Sequence, residues 1–111
     1  MAAKTALHFV RSVTRSNNIV VFSKTACSFS IMAKKLLRDV GVSEMVVYEL
    51  EQREDGHFIQ DALKELTGRG TVPNVFVKGQ SIGGGMETAE LYQSGKLKQL
   101  LQDHGLLDEN Q

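Results

Sequence analysis

Apolar positions along the chain recur with two different periods, and the switches between them lay out the elements. Over residues 1–16, Ala6, Phe9, Val10 and Val13 fall on one face at helical spacing, which predicts a first helix. Asn17-Asn18 interrupts that pattern. Ile19-Val20-Val21-Phe22-Ser23 follows, a β-branched run without polar alternation, as in a strand buried on both faces. After the polar link 23–26, Phe29, Met32, Ala33, Leu36, Leu37 and Val40 return to helical spacing, and Gly41 stands where a left-handed cap residue is expected. Residues 44–50 read as a second strand. Asp55 is placed to cap a third helix carrying Phe58, Ile59, Ala62, Leu63 and Leu66, with Gly68 closing it. Asn74–Val77 and residues 80–82 flank Lys78-Gly79, a tight hairpin signal. Residues 87–93 and 96–104 form two final short helices.

The predicted order is α-β-α-β-α-β-β-α-α in one domain spanning 1–111. Strand–helix–strand at the start implies a parallel pair with a right-handed crossover, and the closing hairpin adds antiparallel strands. The expected fold class is α/β: a mixed four-stranded sheet with helices on both faces.

Charge narrows the function classes. Thirteen Lys+Arg balance thirteen Asp+Glu, so no broad field attracts nucleic acid. No apolar run approaches the roughly 20 residues that span a bilayer, and no membrane partner is expected. Residues 1–16 carry Lys4, Arg11 and Arg15 and no acid, a composition shared with organelle presequences. Because strand material begins at once after them, they read as part of the fold. The expected compartment is the cytosol, with the mitochondrial matrix as the alternative. His8, His57 and His104 lack metal-ligand spacing and read as surface or helix-end residues, and Lys34-Lys35 reads as a solvated basic face.

One cysteine cannot form an internal disulfide or a multi-cysteine zinc site. Cys27 lies after a strand, at the start of the helix beginning near Ser28. A sulfur there meets unpaired backbone N–H groups and the positive end of the helix dipole, both of which favour thiolate. Lys24 adds a nearby positive charge. Such surroundings bring a thiol pKa down to roughly 3.5–7.5, and the thiolate is the nucleophile. A buried structural cysteine is the competing reading, and local context alone weighs the two evenly. Thr71-Val72-Pro73, with the only proline, precedes a β-branched run and by itself reads as a structural turn. The glycines 83–85 precede a helix whose exposed N–H groups can hold a carboxylate, although glycine runs also serve as plain hinges. Gln60 by itself reads as a solvated amide.

Together these pieces resemble a glutaredoxin over nearly the whole chain. The matching elements are Ser23-Lys24-Thr25-Ala26-Cys27-Ser28-Phe29-Ser30, Ile59-Gln60-Asp61 with Leu66-Thr67-Gly68, Thr71-Val72-Pro73, and Ile82-Gly83-Gly84. The resemblance implies a thioredoxin-like sandwich with Cys27 as nucleophile. It also implies a glutathione groove built by Lys24, Phe29, Gln60, Thr71, Val72, Pro73 and Gly84. In that groove a cis peptide before Pro73 turns the Val72 backbone toward the tripeptide, Lys24 and Gln60 hold the glycyl carboxylate, and backbone near Gly84 holds the γ-glutamyl end.

The chain departs from the family pattern in ways that sharpen the expectation. Ser30 stands where dithiol members carry a second cysteine, so both chemical steps must use glutathione. Ser28, the absence of Trp and the short 68–71 link separate it from the class with a Cys-Gly-Phe-Ser site. The centre is therefore monothiol, Cys-Ser-Phe-Ser, on a dithiol-class body. Met86-Glu87 replaces the family's Ser/Thr-Asp or Asp-Asp. Glu87 still has the reach for an ammonium, while Met86 offers no hydroxyl. Gly70 precedes the triplet where a basic residue is usual, with Arg69 one position earlier, so weaker glutathione affinity or a shifted pose is expected.

The implied activity is a glutathione-dependent oxidoreductase reducing protein–glutathione and small mixed disulfides by a monothiol mechanism. Its partners are glutathione and glutathionylated proteins, and the expected state is a monomer. The alternative is a homodimer holding a [2Fe–2S] cluster on two Cys27 thiolates and two glutathiones. Ser28, in place of the family's proline, relaxes the loop toward that role.

Overall fold

The computed structural model describes residues 2–107. The elements are α1 (Ala2–Ser16), β1 (Ile19–Ser23), α2 (Ser28–Asp39), β2 (Val46–Glu49), α3 (Gly56–Thr67), β3 (Asn74–Val77), β4 (Gln80–Gly83), α4 (Gly85–Gln93) and α5 (Lys96–Asp103), with one 3₁₀ turn at Leu50–Gln52. The four strands lie in the order β2-β1-β3-β4. β1 pairs parallel with β2 and antiparallel with β3, and β3 pairs antiparallel with β4.

All five residues of β1 are buried, as an apolar run without alternation requires. Alternate residues feed opposite cores. Val20 and Phe22 join Ala6 and Val10 of α1 and Ile59 and Leu63 of α3 on one face. Ile19 and Val21 join Ala33 and Leu37 of α2 and Leu97 and Leu101 of α5 on the other. The sheet is mixed and helix-covered on both sides, as expected. Lys78 (φ 51°) and Gly79 (φ 83°) both take left-handed backbone, the conformation of a two-residue hairpin turn.

Three details differ from the sequence reading. β2 is shorter than 44–50. β1 ends at Ser23, paired with Glu49, so Leu50 has no ladder partner and turns into the core. α4 starts at Gly85 rather than 87, because two more residues complete its first turn behind Gly84. Asp55 stands at the N-cap of α3 without a side-chain capping bond. Its carboxylate pairs instead with Arg53 at 2.9 Å.

Lys34 also departs from the solvated basic face. Its ammonium pairs with Glu49 at 2.7 Å, and both side chains are less than one-fifth exposed. Lys35 remains on the surface, paired with Asp39. The three histidines are exposed.

Candidate active site

β1 delivers the chain to the end of the sheet, and residues 24–27 turn it back into α2, with Cys27 N–H donating to Lys24 O at 3.1 Å. Cys27 is the N-cap residue, in extended backbone (φ −84°, ψ 118°), and its side chain makes no capping bond. The sulfur is therefore free to face outward and lies half-buried at the helix start. It sits 3.8 Å from the carbonyl of Val72, to which the protonated thiol donates.

The Cys27 pKa lies below the ordinary thiol value. The foremost cause is the Ser30 hydroxyl, which hydrogen-bonds the sulfur, followed by the backbone N–H of Ser30. Partial burial opposes them, and the Phe29 N–H and the Lys24 charge add smaller help. Ser30 is fully buried, and its oxygen accepts the Lys24 N–H at 3.3 Å. With that lone pair committed, its one proton is left for sulfur. The sequence reading credited helix N–H groups and Lys24 and missed the hydroxyl as the leading donor. A polar residue at the third position of an apolar-faced helix was the available signal.

The loop before β3 supplies the opposite wall. The Val72–Pro73 peptide is cis. Asn74, buried at the first position of β3, secures this loop: its amide donates to Thr67 Oγ1 (3.1 Å) and Arg69 O (3.3 Å), and its oxygen accepts the Ser81 hydroxyl (2.7 Å). Sequence reasoning passed over Asn74, although a lone amide inside an apolar strand marks a buried hydrogen-bonding post. Gln60 is not a free amide, since it donates to Gly70 O at 3.0 Å and braces the same loop from α3.

The glycine turn closes the third side. A Cβ on Gly85 would come within 2.8 Å of the Phe29 ring and its Cβ, so only glycine lets α4 seat against the first turn of α2. Between these walls runs a groove of about 270 Å³, lined by Phe29, Thr71, Val72, Pro73, Gly84 and Glu87, with Arg69, Gly85 and Met86. Gln60 lines an adjoining hollow that shares Arg69 and Thr71 with the groove. Cys27, Lys24 and Ser28 line neither; the sulfur lies beside the groove near Val72, with Lys24 on the loop before it and Ser28 on the first turn of α2 after it. Phe29 and Met86 expose about half or more of their surface on the rim.

Two placements differ from the expectations at the γ-glutamyl end. Glu87 is not a free acceptor waiting for an ammonium: its Oε1 accepts the Gly84 N–H at 2.8 Å, and its Oε2 pairs with Arg69 at 3.1 Å. The Gly84 N–H is thereby already taken. Its own N–H and that of Gly84, then Arg69, hold the Glu87 carboxyl below the usual carboxylate range. Arg69 enters the groove although it is one residue displaced from the usual basic position. Among the described residues no three His, Cys, Asp or Glu side chains gather to hold a metal ion.

The arrangement offers a polarised, accessible sulfur beside the Val72 carbonyl at a cis peptide, and a helix start whose Gly84 N–H holds the Glu87 carboxylate. A glutaredoxin family model matches residues 19–82. Glutaredoxin-C8 of Oryza sativa subsp. japonica is 47% identical over 94 residues, covering 84% of this chain and 69% of that protein. Oxidized glutaredoxin 2 of Chlamydomonas reinhardtii superposes with a TM-score of 0.92 at 38% identity, covering 96% of this chain and 100% of the other. The buckwheat glutaredoxin–glutathione complex superposes with a TM-score of 0.90 at 40% identity, covering 96% of each chain.

Proposed function

The chain belongs to the glutaredoxin family and with it is a glutathione-dependent thiol oxidoreductase; from that premise we propose that Cys27 alone carries the exchange, by a monothiol mechanism. The observation behind this reading is the sulfur's setting: a single cysteine whose thiolate is favoured first by the buried hydroxyl of Ser30. A hydroxyl at that position stabilises the anion but cannot resolve a disulfide.

In the first step the Cys27 thiolate attacks the glutathionyl sulfur of a mixed disulfide. The new S–S bond joins Cys27 to glutathione, the old S–S bond breaks, and the substrate leaves as thiolate and takes up a proton. In the second step a glutathione thiolate attacks the glutathionyl sulfur of that adduct. Oxidised glutathione forms and the Cys27 thiolate returns, its charge again met by the Ser30 hydroxyl and the N–H groups at the start of α2. Both steps are thiolate exchanges whose rates follow the attacking and leaving thiol pKa values.

The docked tripeptide lies along the groove, its cysteine pairing with the backbone of the half-buried Val72 as an added strand does. Phe29 and Pro73 give its apolar walls. Lys24, Gln60 and Thr71 serve the glycyl end, and Gly84 with Arg69 serves the γ-glutamyl end. The substrates are glutathionylated proteins and small mixed disulfides.

Steady-state kinetics with a glutathionylated peptide test the mechanism. The expected result is a parallel-line pattern in the two substrates, with all activity lost in Cys27→Ser. Turnover by Cys27→Ser, or intersecting lines, contradicts the covalent relay. A brown dimeric product from anaerobic purification with glutathione would favour the cluster-bound alternative.

A further inference from the structure

The groove has a carboxylate-binding end, and the chain fills it with a carboxylate of its own. Gly84 N–H and the Arg69 guanidinium converge there from two different loops, and both residues line the groove. The turn is close: a Cβ on Gly84 would lie 3.2 Å from the Pro73 carbonyl and 3.2 Å from an Arg69 nitrogen. Glu87 takes both donors at once, one with each oxygen. Its neighbour Met86, 63% exposed, brings no charge or hydrogen-bonding group to the rim. The Glu87 and Arg69 side chains are each about two-fifths exposed, so the carboxylate can swing to solvent without opening the core.

We propose that Glu87 acts as an internal competitor: its carboxylate occupies the Gly84 and Arg69 donors that a ligand carboxylate at this end of the groove would use, and must leave for the ligand to seat fully. This rests on the groove being the glutathione site, where the γ-glutamyl residue carries the competing α-carboxylate. Exchanging one carboxylate for another leaves the donors as satisfied as before, so the γ-glutamyl end adds little net affinity. Glutathione is then distinguished only weakly from a thiol lacking that end, such as cysteinylglycine. The role is opposite in sign to a direct contact with the ligand ammonium, and the two make opposite predictions.

The test measures KM and kcat for a glutathionylated peptide and for the same peptide in mixed disulfide with cysteinylglycine, at fixed glutathione, in the full chain and in Glu87→Gln, Arg69→Gln and the double variant. The disulfide is varied because its glutathionyl group, rather than the second glutathione, occupies the groove. Glu87→Gln keeps an oxygen to cap Gly84 while dropping the charge that ties up Arg69. KM for the glutathionylated peptide is expected to fall by about three- to fivefold, the size of one half-exposed ion pair, with KM for the cysteinylglycine disulfide unchanged. Arg69→Gln should raise KM for the glutathionylated peptide more in the Glu87→Gln background than in the unaltered chain, because only there is the guanidinium free for the ligand. A rise in KM for the glutathionylated peptide with Glu87→Gln overturns the proposal, as does an equal change for both disulfides. Glu87→Asp, an acidic residue too short to span both donors, should shift KM in the same direction if Glu87→Gln proves unstable. If no form of the protein turns over a glutathione disulfide, the functional reading fails separately. Calorimetric titration with unreactive S-methylglutathione then still decides the competition: tighter binding by Glu87→Gln supports it, and equal, weaker or absent binding overturns it.

Discussion

Replacing Ser30 by alanine removes the hydroxyl foremost in lowering the Cys27 pKa, while leaving the α2 N–H groups and Lys24 in place. A hydrogen bond to a charged group contributes about 1.5–3 kcal/mol, and water at the half-exposed sulfur replaces part of it, which favours the lower end. At 1.36 kcal/mol per unit, Ser30→Ala is expected to raise the Cys27 pKa by about one unit. The same change strands the Lys24 N–H that the hydroxyl accepts at 3.3 Å, at a cost of about 1 kcal/mol in stability. Iodoacetamide alkylation followed across pH reads the midpoint cleanly, because the chain has no other thiol. The rates have a signature of their own. Below both midpoints the variant has about tenfold less thiolate, partly offset by the greater nucleophilicity of a more basic sulfur, so it reacts about three- to fourfold more slowly. Above both midpoints the offset acts alone and the variant reacts about threefold faster. Ser30→Thr, which keeps a hydroxyl, should restore the midpoint. A folded Ser30→Ala protein with an unmoved midpoint would refute the hydroxyl's role and return the effect to the helix N–H groups.

Other expectations follow from the same geometry. A Cys27 pKa lowered by folding stabilises the folded chain fully above the unfolded thiol value of about 8.5, and the contribution fades as pH falls through the folded value. Cys27→Ser should therefore lose that pH dependence of the urea midpoint. Asn74→Ala removes three hydrogen bonds that secure the 67–73 loop and should cost about 2 kcal/mol by denaturant unfolding, with a raised KM for a glutathionylated peptide. Gly85→Ala places a Cβ 2.8 Å from Phe29; KM for a glutathionylated peptide should rise while the alkylation midpoint stays near its original value. Lys34→Met leaves Glu49, whose second oxygen already has no partner, without its cation, and should destabilise the chain by about 2–3 kcal/mol in urea unfolding.

The elements most legible in sequence were those where one local rule acts alone. The unbroken apolar run of β1, the Lys78-Gly79 turn and Gly68 in left-handed backbone at the end of α3 all appear where pattern places them. What escaped was settled between elements. The length of β2 depends on where β1 stops beside it. Lys34 looks like a surface residue from its spacing on α2, and only Glu49 on a neighbouring strand draws it inward. Asp55 has the right position and chemistry for a cap, but Arg53 takes its carboxylate. At the candidate site residue types alone left Cys27, Val72, Pro73 and Gly84 with bland alternatives, and only the family resemblance singled them out, while the pairings of Ser30 with sulfur and of Glu87 with Gly84 and Arg69 needed three dimensions. Arg69 was noticed only as a displaced basic residue, because nothing in the spacing shows that its guanidinium reaches the groove.

The most direct test is a single turnover followed by intact mass. The protein is mixed with one equivalent of a glutathionylated peptide, with free glutathione withheld. One glutathionyl group should appear on Cys27 as one peptide thiol is released, and added glutathione should then return the unmodified mass. Peptide rather than glutathione attached to Cys27, or release of peptide thiol without any adduct, would contradict a lone thiolate attacking the docked glutathionyl sulfur.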